Sequence, residues 1–202
     1  MISDQTLQTF NLSDLAQHTK EGSYSPNASA DFHLFYCGRD NVHEILKHVL
    51  SRVTVSLYLN MFGYDDDELN EIVMRIVHDP SIACLITLDK SQAGGVHERR
   101  LLESDAANDP QAFATHFVTG QSATHQISHT KGFVADGKVG AEGSTNWSTS
   151  GEGTFVVKGQ AGGVGYKAQN NTQSIFTDPD AVARFQAELL MEHAAAHRAV
   201  KK

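Results

Sequence analysis

Residues 129–147 read HTKGFVADGKVGAEGSTNW, and the fold is decided by how this stretch is understood. From Gly132 to Gly140 it is strand-like, ending in a turn at Asp136 and Gly137. His129 and Lys131 stand two apart, so in extended chain their side chains emerge on one face. That pairing suits phosphate chemistry. A neutral imidazole can attack phosphorus and an ammonium can hold non-bridging oxygens. The amide of Asn146 and the hydroxyl of Ser144 supply neutral donors to developing charge. No step needs a metal or an organic cofactor, and none is expected. Alone, an H-x-K pair is chance in most sequences, and Ser and Asn are ordinary turn residues. The combination with Asp136 and with Gly143-Ser144-Thr-Asn146 carries the signal.

Upstream, Phe32, Leu34 and Tyr36 alternate as in a half-buried strand, and Asn41 to Arg52 carries Val42, Ile45, Leu46 and Val49 at helical spacing. Val53 to Phe62 (VTVSLYLNMF) is a nearly unbroken apolar run, as expected of a strand buried on both faces. Asp65, Asp66 and Asp67 cap a helix through Leu69, Ile72, Val73, Ile76 and Val77, which Pro80 stops. Ile82 to Leu88 is another strand, and a helix is expected after Gly94 and Gly95. This β-α-β-α-β order implies an α/β sandwich. Phe113 to Val118 reads as a further strand and Ser174 to Phe176 as a short last one. A final helix opens at Asp178 and Pro179 and buries Val182, Phe185, Leu189 and Leu190. Residues 1–30 read as an arm or short helix preceding a single domain at 31–202.

The order H-x-K-x4-D followed by G-S-x-N resembles the signature of the phospholipase D superfamily, with the spacing of its small bacterial single-motif nucleases. FYCGRDNVHEILKHVLSRVTVSLYLNMFGYDDDELNEIV and ITLDKSQA resemble the family's opening elements, so the similarity runs from Asp31 to Leu190. The resemblance implies a phospholipase D-like α/β/α sandwich with a mixed, largely parallel central sheet. It also implies that His129 becomes a phosphohistidine, Lys131 and Asn146 grip phosphoryl oxygens, Ser144 supports the site, and Asp136 is mainly structural. Only one motif copy is present, so a homodimer would bring two His129 side chains together, one attacking and one protonating the leaving oxygen. Many relatives carry an acidic residue before the last strand to orient the histidine. Here Asn170 takes that place beside Gln169 and Asn171, and Glu152 is a candidate substitute. The Gly-rich loop at 151–168 (GEGTFVVKGQAGGVGYKA) exceeds the short connection of the smallest members. It carries Lys158 and Lys167, candidate contacts to a phosphate backbone. Trp147 is either a stacking surface for substrate or a packing residue.

The function expected from these features is a metal-independent phosphodiesterase, a nuclease acting on DNA or RNA as a homodimer. The alternatives are a lipid phosphodiesterase of the cardiolipin type, with Phe155, Val156 and Val157 touching a membrane, and a catalytically silent dimer that binds nucleic acid or protein. The 202 residues carry a formal charge of −8, which excludes coating of nucleic acid by bulk electrostatics and leaves room for a local basic groove. No apolar run is long enough for a membrane span and no secretory signal is visible, so no stable membrane insertion and a cytoplasmic location are expected. Cys37 and Cys84 read as buried free thiols. His125 and His129 have H-x3-H spacing but lack a third ligand nearby, and His193 and His197 read as a solvated helix face. Asp65 to Glu68 lacks the order of a calcium loop, and the glycines at 159–165 miss the phosphate-loop lysine.

Overall fold

The computed structural model describes residues 11–89, 96–120, 128–153 and 169–200. After a 3₁₀ helix at Leu12–His18, Phe32–Tyr36 forms β1, Val42–Leu50 α1, Ser56–Met61 β2, Asp67–Val77 α2 and Ala83–Asp89 β3. Val96–Asn108 forms α3, Pro110–His116 α4, Phe117–Gly120 β4, Lys131–Ala135 β5, Val139–Gly143 β6 and Thr149–Glu152 α5. Thr172–Phe176 forms β7 and Pro179–Val200 forms α6. The helices start where side chains satisfy free amides: Asn41 accepts from the Glu44 N–H, and Asp66 from the Leu69 N–H. Their buried stripes are those the spacing predicts, Val42, Ile45, Leu46 and Val49 on α1 and Leu69, Ile72, Val73, Ile76 and Val77 on α2.

Among the described residues one seven-stranded sheet runs in the order β1-β7-β6-β5-β2-β3-β4. Strands β1, β6, β2, β3 and β4 point one way and β7 and β5 the other, so β2-β3-β4 pair in parallel while the remaining neighbours are antiparallel. The mixed sheet expected from the sequence is therefore present. Helices α1 and α2 cover one face, over Leu57, Leu59, Met61, Phe133 and Ala135. On the other face α6 packs Val182, Leu189 and Phe185 against Val134, Tyr58 and Phe176. Gly132 is required here, since a Cβ at this position would lie 2.7 Å from the Phe185 ring. Cys37 and Cys84 are free and buried, as expected, and burial pushes the Cys84 thiol up to about 12.

Two sequence expectations change and one open choice is narrowed. Phe113 to His116 is helical, because Asp109 accepts from the Ala112 N–H and Pro110 occupies the first turn; β4 begins only at Phe117. Of the two readings of the segment before the first strand, arm or short helix, the described part is a short 3₁₀ helix at Leu12–His18 with Leu12 and Leu15 buried in the core. His193 is buried at 6% exposure with its Nδ1 3.0 Å from Thr87 Oγ1, so this turn of α6 faces the sheet rather than solvent. No helix among the described residues is long and apolar enough to cross a membrane.

Candidate active site

The carboxyl ends of β2, β3 and β6 and the beginnings of β5 and β7 share one edge of the sheet, the edge where open α/β sheets place their ligands. Pairing of Met61 with Lys131 brings the start of β5 against the end of β2. His129, just outside β5, is exposed, and its ring meets Phe62 edge-on with centroids 4.5 Å apart. Lys131 is only 4% exposed; its Nζ donates to the His129 carbonyl at 2.8 Å and lies 4.7 Å from the centre of the Phe62 ring. Burial lowers the Lys131 pKa, against the opposing charges of Asp89 and Glu142. Among the described residues it forms no ion pair, so the direct partners of this buried cation are a carbonyl dipole and a ring face, with the carboxylates of Asp89 and Glu142 acting on it from farther away. Such a charge is an open demand for an anion.

Asn146 reaches the same corner from the turn after β6. A Cβ on Gly63 would lie 3.0 Å from Asn146 Cγ, so glycine after Phe62 lets the amide approach. The Asn146 Oδ1 is buried without a hydrogen-bond partner, an unsatisfied amide group at the rim. Trp147, by contrast, is 1% exposed and packs on Tyr64 and Phe133 at 5.5 and 6.2 Å, which makes it a core residue and corrects its reading as a substrate surface. The backbone of Trp147 bonds to Gly63 and Asp65, pinning the G-S-x-N turn to the end of β2. Ser144 is exposed; its hydroxyl donates to Asn171 Oδ1 at 3.1 Å and accepts from the Thr172 N–H at 3.0 Å. Asn171, not the exposed Asn170, is thus the amide in contact with this motif. Gln169 Oε1 in turn accepts from Asn171 Nδ2 at 3.0 Å.

Asp136 sits at the far end of β5 with φ 55°, and its carboxylate accepts from the N–H groups of Thr54, Val55 and Ser56 and from the Thr54 hydroxyl. It ties the β5–β6 turn to the entry of β2. On the α6 side, Asp89 Oδ2 accepts from the Ser128 N–H at 2.7 Å and Ser128 Oγ donates to Asn60 at 3.0 Å. These buried groups hold the residue preceding His129. The sequence reading missed Phe62, Asn60, Asp89 and Ser128; polar residues inside the apolar runs VTVSLYLNMF and ITLD were the available signal.

Glu152 does not lie against His129 as a substitute for the acidic partner. It is fully buried and hydrogen-bonded to His43 Nδ1. Burial pushes Glu152 up to about 7, offset in part by the His43 hydrogen bond. Burial opposes charge on His43, but the Glu152 bond and the surrounding carboxylates outweigh it and hold its pKa above the ordinary value. The ligand atoms of His43, Asp66 and Glu152 lie within 4.8 Å of one another, so this cluster could hold a metal ion. Lys158, Lys167 and His125 lie outside the described residues, as does the Gly-rich loop from Thr154 onward.

No protein-family model matches the chain, and no curated protein matches it by sequence. Solved structures do. Nuc from Salmonella typhimurium, a phospholipase D family member, is similar with a TM-score of 0.59 at 13% identity, over 80% of this chain and 92% of that one. NucT from Helicobacter pylori gives 0.55 at 12% identity, over 81% and 96%. Phosphatidylserine synthase from Haemophilus influenzae Rd KW20 gives 0.54 at 11% identity, over 77% of this chain and 35% of that one. The chain therefore has the fold seen in a phospholipase D family member.

Proposed function

We propose that the protein is a phosphodiesterase of the phospholipase D type, acting on nucleic acid through His129. The observation that carries this reading is the pairing of an exposed imidazole, His129, with a buried lysine cation, Lys131, that has no carboxylate partner among the described residues. In the proposed reaction His129 attacks phosphorus, forming a P–N bond as the P–O bond to the leaving group breaks. A second His129, from the other subunit of a homodimer, donates the proton that the leaving oxygen takes up. Water then attacks the phosphohistidine and gives its proton back to that second imidazole. Lys131 and the Asn146 amide stabilise the charge on the non-bridging oxygens, doing with a cation and a dipole what a metal does elsewhere. The single H-x-K-x4-D motif, with the spacing of the small single-motif nucleases that the sequence resembles, favours nucleic acid over lipid.

The test is a panel of single- and double-stranded DNA, RNA, phospholipid vesicles and a small phosphodiester, each in excess chelator, with wild type and His129→Ala. Cleavage of nucleic acid by the wild type alone is the expected result. Turnover of lipid only would replace nucleic acid as the substrate. Binding without cleavage would make the dimer a silent binder, and equal turnover by His129→Ala would remove His129 from the chemistry.

A further inference from the structure

Away from His129, three elements converge on a single buried imidazole. His43, on α1, is 2% exposed, and both of its ring nitrogens face carboxylates. Nε2 lies 3.3 Å from Glu68 Oε2, while Nδ1 lies 2.5 Å from Glu152 Oε2 and 3.6 Å from Asp66 Oδ2. A neutral imidazole presents a lone pair at one nitrogen, and here that lone pair would point at an anion. A positive centre must therefore stand between Nδ1 and the two carboxylates, and either a proton or a metal ion supplies it.

The two occupants differ in what they leave unsatisfied. A proton between Nδ1 and Glu152 Oε2 leaves Glu152 Oε1 buried without a partner, as it stands in the structure. A metal ion at the same place takes both oxygens of that carboxylate. Asp66 is ready for the same role, because its Oδ1 accepts from the Leu69 N–H and its Oδ2 is the atom turned toward His43. Glu68 on the remote nitrogen, itself held by Lys47 at 2.6 Å, is the outer carboxylate that usually orients a metal-bound histidine. Two donors on a tetrahedral zinc ion stand about 3.3 Å apart. Asp66 is already near that distance, and Glu152 needs to withdraw from Nδ1 by less than about 1 Å.

We propose that His43, Asp66 and Glu152 form a binding site for a divalent cation of the zinc class, which replaces the proton shared by His43 and Glu152 and releases it to solvent. One imidazole with two carboxylates suits zinc or cobalt, whereas magnesium and calcium take oxygen ligands. The ion is a clamp rather than a reactant: it joins α1, the start of α2 and α5, the helix that follows the turn carrying Asn146. None of its ligands belongs to the set assigned to the phosphodiesterase chemistry.

The experiment strips the purified protein with chelator, dialyses it, and titrates it with Co(II) followed by visible absorption and with Zn(II) followed by calorimetry and melting. Expected are one equivalent bound per chain, a ligand-field band, and a melting temperature raised by zinc but not by magnesium. Asp66→Asn keeps the helix cap, since Asn caps as well as Asp, and Glu152→Gln keeps a neutral partner for His43. Each weakens binding at least about tenfold, the scale of loss that accompanies a damaged metal site. No band and no thermal shift in the wild type overturns the proposal. So does a band of equal strength in both variants, which would place the ion on histidines elsewhere. Turnover in chelator is a separate readout, so failure of either proposal leaves the other standing.

Discussion

Lys131 shows how one residue can be costly to the fold and useful to the site. Its ammonium is buried with a carbonyl and the Phe62 ring as partners, and burial already depresses its pKa. Under the proposed function an incoming phosphodiester would pair directly with this ammonium, so part of the cost of folding would return as affinity. Asn146 is the neutral counterpart through the Nδ2 of its amide, the group able to donate to developing charge, while its Oδ1, an acceptor, is buried and unpaired. Asn146→Ala is expected to lose about 2 to 4 kcal/mol of transition-state stabilisation, as removal of one oxyanion donor does. Single-turnover rates with a small phosphodiester check this, and an unchanged rate would return Asn146 to the role of a turn residue. His193 carries a prediction about pH. Burial holds its pKa down to about 4, with His197 adding to the effect, whereas an unfolded histidine titrates near 6.5. Between these values the unfolded state binds more protons than the folded state, so stability falls as pH drops through that window. Burial shifts His18, His33 and His48 in the same direction. The His193 contribution is at most roughly 3 kcal/mol. In urea titrations from pH 7 to 4, His193→Gln should therefore show a shallower loss of stability than the wild type; parallel curves would mean that His193 does not titrate in this range.

At the scale of elements, Asp136 works through the two strands it joins. Its carboxylate gathers three consecutive backbone N–H groups at the entry to β2 while its own backbone is left-handed. Asp136→Ala frees those donors and is expected to cost about 2 to 4 kcal/mol, with Asp136→Asn in between. Chemical denaturation measures it, and a loss below about 1 kcal/mol would show that solvent replaces the carboxylate without penalty. Elements differed in how well local pattern foretold them. The helix at 42–50 and the strand at 56–61 were legible because a cap and an uninterrupted period agreed. The stretch Phe113 to Val118 was not, since its apolar residues fit a strand while Asp109 and Pro110 start a helix, and the cap prevailed as far as His116. Trp147 was ambiguous for a related reason: a large aromatic beside a catalytic motif packs or stacks according to which turn carries it, and the bonds to Gly63 and Asp65 turn it inward.

At the scale of the whole molecule, one histidine cannot attack phosphorus and protonate a leaving group on the opposite side. The proposed chemistry therefore needs two chains. Specific activity per chain should fall on dilution in step with the dimer fraction measured by light scattering, and a monomer with full activity would refute a shared site. What the sequence determined by itself was the alternation of strands and helices and the H-x-K spacing that places His129 just before the strand carrying Lys131, while the phospholipase D-like sheet was implied by the resemblance of the motif to that family. The alternation and the spacing are local properties of the chain, and the motif is legible because it is local too. Only the tertiary structure decided that Phe62 and Gly63 form the floor beneath His129, Lys131 and Asn146, that Asn171 rather than Asn170 meets Ser144, and that Glu152 belongs to His43. The last pair is separated by 109 residues. Contacts of that kind depend on strand order, on register and on the crossing of helices over the sheet, and no local pattern encodes which distant side chain will arrive at a given buried charge.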